Sequence, residues 1–206
     1  TADKVHVVYT EDQLREAFIY VRDLRHMDDP QVAGFKRRSS WMYPDDGCWA
    51  RAALMGLLLE QKNQPRPIKI FAFGNLRVMT KNSPYGSVTW WYHVVPGVAL
   101  ESNGTKEIYV LDPAMDHAKP MTLKAWTDAM GGKSANVRVA LCDPKTYTPN
   151  SACQSPVMTD EMNSALSDQS NYLSAERYRL KELKRDADKE LGDEPPWKLG
   201  SLLEMP

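Results

Sequence analysis

Cys48 stands at the head of a long apolar pattern, Asp45-Asp46-Gly47-Cys48-Trp49-Ala50-Arg51-Ala52 and on to Leu59. A thiol at a helix start is chemically distinct. The unpaired amides and the helix dipole there favour the thiolate over the thiol, whose ordinary pKa is about 8.5. The same N–H groups could hold an oxyanion. A thiolate nucleophile needs a proton carrier, and the chain offers four histidines. His6, His26 and His117 read as structural or solvated. His93 differs, being embedded in the apolar strand pattern Thr89-Trp90-Trp91-Tyr92-His93-Val94-Val95, and a buried imidazole wants a partner for its second nitrogen.

The elements that must position these residues can be read in turn. Residues 48–60 are apolar most of the way round, which predicts a buried helix, capped by Asp45 or Asp46 and closed by Pro65 and Pro67. Ser102-Asn103-Gly104-Thr105 lies between two strand patterns, Val88–Leu100 and Glu107–Leu111, and Asn-Gly there predicts a tight hairpin. A turn centred near Asn103 sets position 93 across from about 112 to 114. Asp112 falls at that point, where a carboxylate can fix the imidazole tautomer and stabilise its cation. The turn also accounts for the formal glycosylation sequon Asn103-Gly104-Thr105. Upstream, Val5–Tyr9 reads as a short strand. Thr10 and Gln13 form a capping box for a helix over 11–27, with Leu14, Phe18, Val21 and Leu24 on one face. Residues 31–47 read as a polar connection, Ile68–Phe73 as a strand ending in a Gly74-Asn75 turn, and Thr122–Met130 as a short helix.

A cysteine at a helix start, a histidine on a strand and an aspartate on the paired strand is the general papain-like and transglutaminase-like order. The blocks Asp46-Gly47-Cys48-Trp49-Ala50-Arg51-Ala52, Phe73-Gly74-Asn75-Leu76, Trp90-Trp91-Tyr92-His93-Val94, Leu111-Asp112-Pro113-Ala114 and Pro120 to Trp126 resemble those of the bacterial protein-glutaminases, over residues 43–130. The resemblance implies an α/β (α+β) fold with a papain/transglutaminase-like core, a helix bearing the cysteine packed on an antiparallel sheet. It implies hydrolysis of the side-chain amide of protein- or peptide-bound glutamine, with Cys48 as nucleophile, His93 as base and Asp112 as orienting acid. No cofactor or metal is expected. Trp90, Trp91 and Tyr92 are candidates for the core, for walls of an acyl-donor tunnel or for a ring donor near the oxyanion. The alternatives are a transglutaminase, a cysteine protease, or a non-catalytic binding module in which Cys48 is structural. One departure is visible: Ala53 stands where the family often carries a second histidine.

Composition bounds the rest. Twenty-six basic against twenty-seven acidic residues exclude a polycationic nucleic-acid binder, and no apolar run reaches the length of a membrane span. Among three cysteines, Cys142 and Cys153 lie eleven positions apart in a loop-like stretch, while Cys48 is isolated. One disulfide plus one working thiol is the expectation, with three reduced cysteines as the alternative. A Cys142–Cys153 bridge would imply an oxidising compartment, hence a bacterial secreted or periplasmic protein or a delivered effector. The chain divides at about residue 155: a catalytic domain over 1–155, and a charged, mostly helical extension over 156–206 whose surface is a solvated ion-paired face or a contact for a partner or inhibitor.

Overall fold

The computed structural model describes residues 4–102, 104–147, 149–150, 152–154 and 158–198. Its centre is a sheet in which β4 (Ile68–Met79), β5 (Ser87–Ser102), β6 (Thr105–Val110), β7 (Met121–Thr122) and β8 (Arg138–Cys142) run antiparallel in the order β7-β6-β5-β4-β8. β1 (Val8–Tyr9) pairs in parallel with the far end of β5. β2 (Met27–Asp28) and β3 (Lys36–Arg37) form a separate small ribbon, β3 inside the polar connection and β2 just before it.

The helices cover both faces. α1 (Glu11–Asp23) begins at Thr10, whose side chain accepts from the Gln13 amide while Gln13 reaches back, so the capping box is formed. It ends at the Leu24 cap, short of the expected residue 27, because Met27 has joined β2. α2 (Cys48–Gln61) lies on one face of the sheet, where Cys48 and Ala52 pack with Phe71, Val94 and Ala140. α3 (Leu123–Ala129), capped by Thr122, covers part of the other face and sends Trp126 into a cluster with Ile70, Val95 and Val110.

α4 (Glu161–Glu182) crosses the back of α2, packing Ala165 and Leu173 on Ala50, Ala53 and Leu54, and α5 (Ala187–Leu191) follows it. Much of its charge points inward. Glu176 accepts from Arg37 at 2.6 Å and from the Met42 amide at 2.7 Å, while Arg37 and Arg177 share Asp29. These buried ions satisfy one another, as burial demands. Ala53, the departure from the resemblance, therefore faces α4 rather than the sheet.

Two local readings change. Gly74-Asn75 is a bulge inside β4 rather than a turn, because the register with β5 shifts between Phe73 and Leu76 and the strand continues to Met79. Gly74 has φ 151°, and a Cβ there would lie 2.7 Å from the Ala135 carbonyl oxygen. Cys142 is the last residue of a strand rather than part of a loop: β8 gains its structure by pairing with β4, Cys142 opposite Lys69. Asn103 lies outside the described residues, but Ser102 pairs directly with Thr105, so the connection is two residues long as expected.

Candidate active site

Cys48 is the first residue of α2 and is buried. The residue before it, Gly47, is the N-cap, in the left-handed region at φ 82°. Among the described residues no side chain caps this helix. Asp46 bonds the Gly47 amide instead, and Asp45 is held by Arg179, so neither aspartate takes the capping role expected of it. The consequence is chemical. By helix geometry the N–H groups of the first turn have no partner within the helix, and with no capping side chain among the described residues they can meet a developing negative charge beside the thiol.

His93 comes to Cys48 from β5 and Asp112 from just beyond β6. The register pairs Gly97 with Val110, which places Asp112 one strand diagonal from His93. His93 Nε2 and Asp112 Oδ2 are 2.9 Å apart, both buried. An ionised carboxylate accepts only, so Nε2 carries the proton and Nδ1 keeps its lone pair in the neutral ring. Nδ1 is buried with no hydrogen-bond partner among the described residues, and the imidazole and the Cys48 thiol lie close enough to shift one another's titration.

Burial alone would lower the His93 pKa, but the charge and hydrogen bond of Asp112, together with Cys48, outweigh it and raise the imidazole to about 9. Burial would raise the Cys48 thiol, yet His93, the Arg51 charge and the Val94 amide bring it below the ordinary thiol value. Asp112 is likewise held low against its burial by His93, Trp126 and Arg51. All three directions favour a thiolate–imidazolium pair over two neutral groups.

Two participants were missed as working residues in the sequence. Trp126 donates its indole N–H to Asp112 Oδ2 at 2.9 Å, and with Trp90 it encloses the imidazole, the ring centroids lying 5.6 and 4.6 Å away. Arg51, buried on α2, donates to the Ser40, Tyr43 and Asp46 carbonyls and so holds the loop leading into Cys48. A lone arginine in an otherwise apolar helix was the available signal, since a buried charge must find partners.

The three aromatic candidates separate. Trp90 stacks on His93, and its N–H is already given to the Pro44 and Asp45 carbonyls, so it is not a donor for an oxyanion. Tyr92 lies near Cys48, and burial together with that sulfur raises its phenol pKa. Trp91 is 64% exposed. All three line a groove of about 600 Å³ that opens over Cys48, with Pro44–Asp46 on one wall and Asn75, Arg77 and the β5 aromatics on the other. Cys142 and Cys153 are joined in a disulfide and pack in the same cluster as Cys48.

A buried cysteine at a helix start, a histidine between it and an aspartate, and an open groove come together here on an α+β fold of the papain/transglutaminase-like kind. The chain belongs to the glutaminase family, whose model matches residues 14–130. Among solved structures it is similar to a protein-glutaminase crystal structure at 24% identity and TM-score 0.63, over 81% of this chain and 90% of that one. It is also similar to the NMR structure of protein-glutaminase from Chryseobacterium proteolyticum, at 26% identity and TM-score 0.62, over 78% and 88% of the two chains. A pro-protein-glutaminase crystal structure matches at 25% identity and TM-score 0.64, over 81% of this chain and 59% of that longer one. No curated protein matches the chain in sequence.

Proposed function

We propose that this chain hydrolyses the side-chain carboxamide of glutamine within a protein or peptide, through a thioester on Cys48. The observation that carries the mechanism is the imidazole held at Nε2 by Asp112, 2.9 Å away, which leaves its other nitrogen unbonded within range of the thiol's charge. The Cys48 thiolate attacks the carboxamide carbon. The oxyanion that forms is met by the first-turn amides of α2. As the tetrahedral adduct collapses, the C–N bond breaks and His93 Nδ1–H protonates the departing nitrogen, which leaves as ammonia. Water then loses a proton to His93 Nδ1 and attacks the thioester. The C–S bond breaks, releasing glutamate and restoring the thiolate–imidazolium pair.

A protein substrate suits the groove, which is open and walled by aromatic rings. The balance of 26 basic against 27 acidic residues argues against a nucleic-acid substrate. Among the described residues no helix is long and apolar enough to cross a membrane. The Cys142–Cys153 bridge supports residence in an oxidising compartment, as a secreted or periplasmic bacterial protein or a delivered effector. Contact with a partner or inhibitor through the C-terminal segment would use the outer face of α4, where Tyr178 is exposed.

The test is product analysis on a glutamine-bearing protein with and without a millimolar primary amine that mimics lysine. Glutamate is the expected main product in both cases, with protein-bound glutamine strongly preferred over the free amino acid. Amine adducts forming faster than glutamate would make the enzyme a transglutaminase with the same three residues at work.

A further inference from the structure

Beyond the bulge at Gly74-Asn75, β4 and β5 continue as a two-stranded arm, from Leu76 opposite Trp90 to Met79 opposite Ser87. This arm forms one wall of the groove over Cys48, and Pro44–Asp46 forms part of the other. The two walls come from segments far apart in sequence, so something must set their separation. Near Cys48 the Trp90 indole does so, donating to the Pro44 and Asp45 carbonyls.

At the arm's tip the work passes to α4. The Arg179 guanidinium grips Asp45 with two bonds, Nη1 to Oδ2 at 2.8 Å and Nη2 to Oδ1 at 3.1 Å. Nη1 also donates to the Asn82 carbonyl at 2.8 Å, in the loop that joins β4 to β5. The plane of charge lies over Tyr43, 5.1 Å from the ring centroid. Arg185, just past α4, takes the Asn82 side chain at 2.7 Å. One side chain thus spans both walls. A planar fork with five donors can do this, whereas an ammonium has no such fixed geometry.

We propose that Arg179 is a positioning residue that fixes the groove for an extended polypeptide, so that the C-terminal segment sets the enzyme's discrimination between protein and small amide substrates. The inference rests on the deamidase reading given above. Arg179 acts through Asp45 and Asn82 and not on the reacting atoms. Its loss should therefore matter most to a substrate long enough to lie along the arm.

The experiment compares wild type, Arg179→Ala, Arg179→Lys, Asp45→Asn and the Arg179→Ala/Asp45→Asn double variant, at a temperature where circular dichroism shows each folded. Ammonia release is followed on an unfolded glutamine-rich protein and on a glutamine dipeptide blocked at both ends. For Arg179→Ala we expect kcat/KM to fall about 5- to 20-fold on the protein, mostly through KM, and about twofold or less on the dipeptide, as loss of one partly buried two-pronged pair would give. Arg179→Lys should recover only part of the loss. The double variant should be no worse than Arg179→Ala alone, because the two residues share one interaction. The pH dependence of Cys48 alkylation should be the same as wild type. Equal losses on both substrates, no loss on either, or additive losses in the double variant would overturn the proposal while leaving the deamidase reading intact. Absence of ammonia release from the wild type on either substrate would instead remove that reading, and this proposal with it.

Discussion

Trp126 and His93 bind the same oxygen of Asp112: the indole Nε1 and the imidazole Nε2 each lie 2.9 Å from Oδ2. Two donors on one buried carboxylate oxygen stabilise its charge and fix the direction in which it holds the ring. Trp126→Phe keeps most of the packing volume and deletes one donor. Activity should fall about 10- to 100-fold, the usual cost of removing a group that orients a working side chain, and unfolding stability by about 1–3 kcal/mol. Steady-state kinetics with urea denaturation would check both, and wild-type values would show that His93 alone is enough to orient Asp112.

The legibility of this arrangement in the sequence was uneven, for physical reasons. The pairing of His93 with Asp112 follows from strand geometry once the Asn103-Gly104 turn is located, because a two-residue connection leaves the register no freedom. The cysteine's helix start was equally local. Its cap was not: aspartates at 45 and 46 are good caps by type, but Asp45 is engaged by Arg179, more than a hundred residues away. Gly74-Asn75 has turn chemistry, yet the long pairing with β5 carries the strand through it as a bulge. β8 has little pattern of its own and exists because β4 offers it an edge. The inward charge of α4 was hidden for the same reason, since Arg37 and Asp29 belong to the opposite end of the chain.

The protonation states predict a bell-shaped pH profile. Below the lowered pKa of Cys48 the thiolate is protonated and attack stops, so activity rises with pH through that value. Above about 9 the imidazolium loses its proton and can no longer protonate the leaving nitrogen, so activity falls. The two groups titrate as a pair, and the limbs report the pair. kcat/KM measured from acid to alkaline pH should show both limbs. A single rise centred near 8.5, the ordinary thiol value, would mean that His93 does not perturb Cys48.

The disulfide encloses a short segment whose Thr146 carbonyl receives Lys69 and whose Tyr147 meets Trp49 edge-on at 5.0 Å, next to Cys48. Replacing Cys142 and Cys153 together by serine should lower unfolding stability by about 3 kcal/mol on the chain-entropy account of a loop this short. Chemical denaturation of the double variant, set against the oxidised wild type, reads this directly. Unchanged stability would mean that the hydrogen bonds of the segment hold it without the bridge.

The central claim is that Cys48 is the nucleophile in amide hydrolysis. The most direct measurement is ammonia release from a glutamine-bearing protein by wild type, Cys48→Ala and Cys48→Ser, each shown folded by circular dichroism. Removal of a nucleophile from a group of residues that act as a unit costs several orders of magnitude in rate, and that is the result expected for both variants. Retention of even about a tenth of the wild-type rate would contradict it and leave Cys48 a structural thiol.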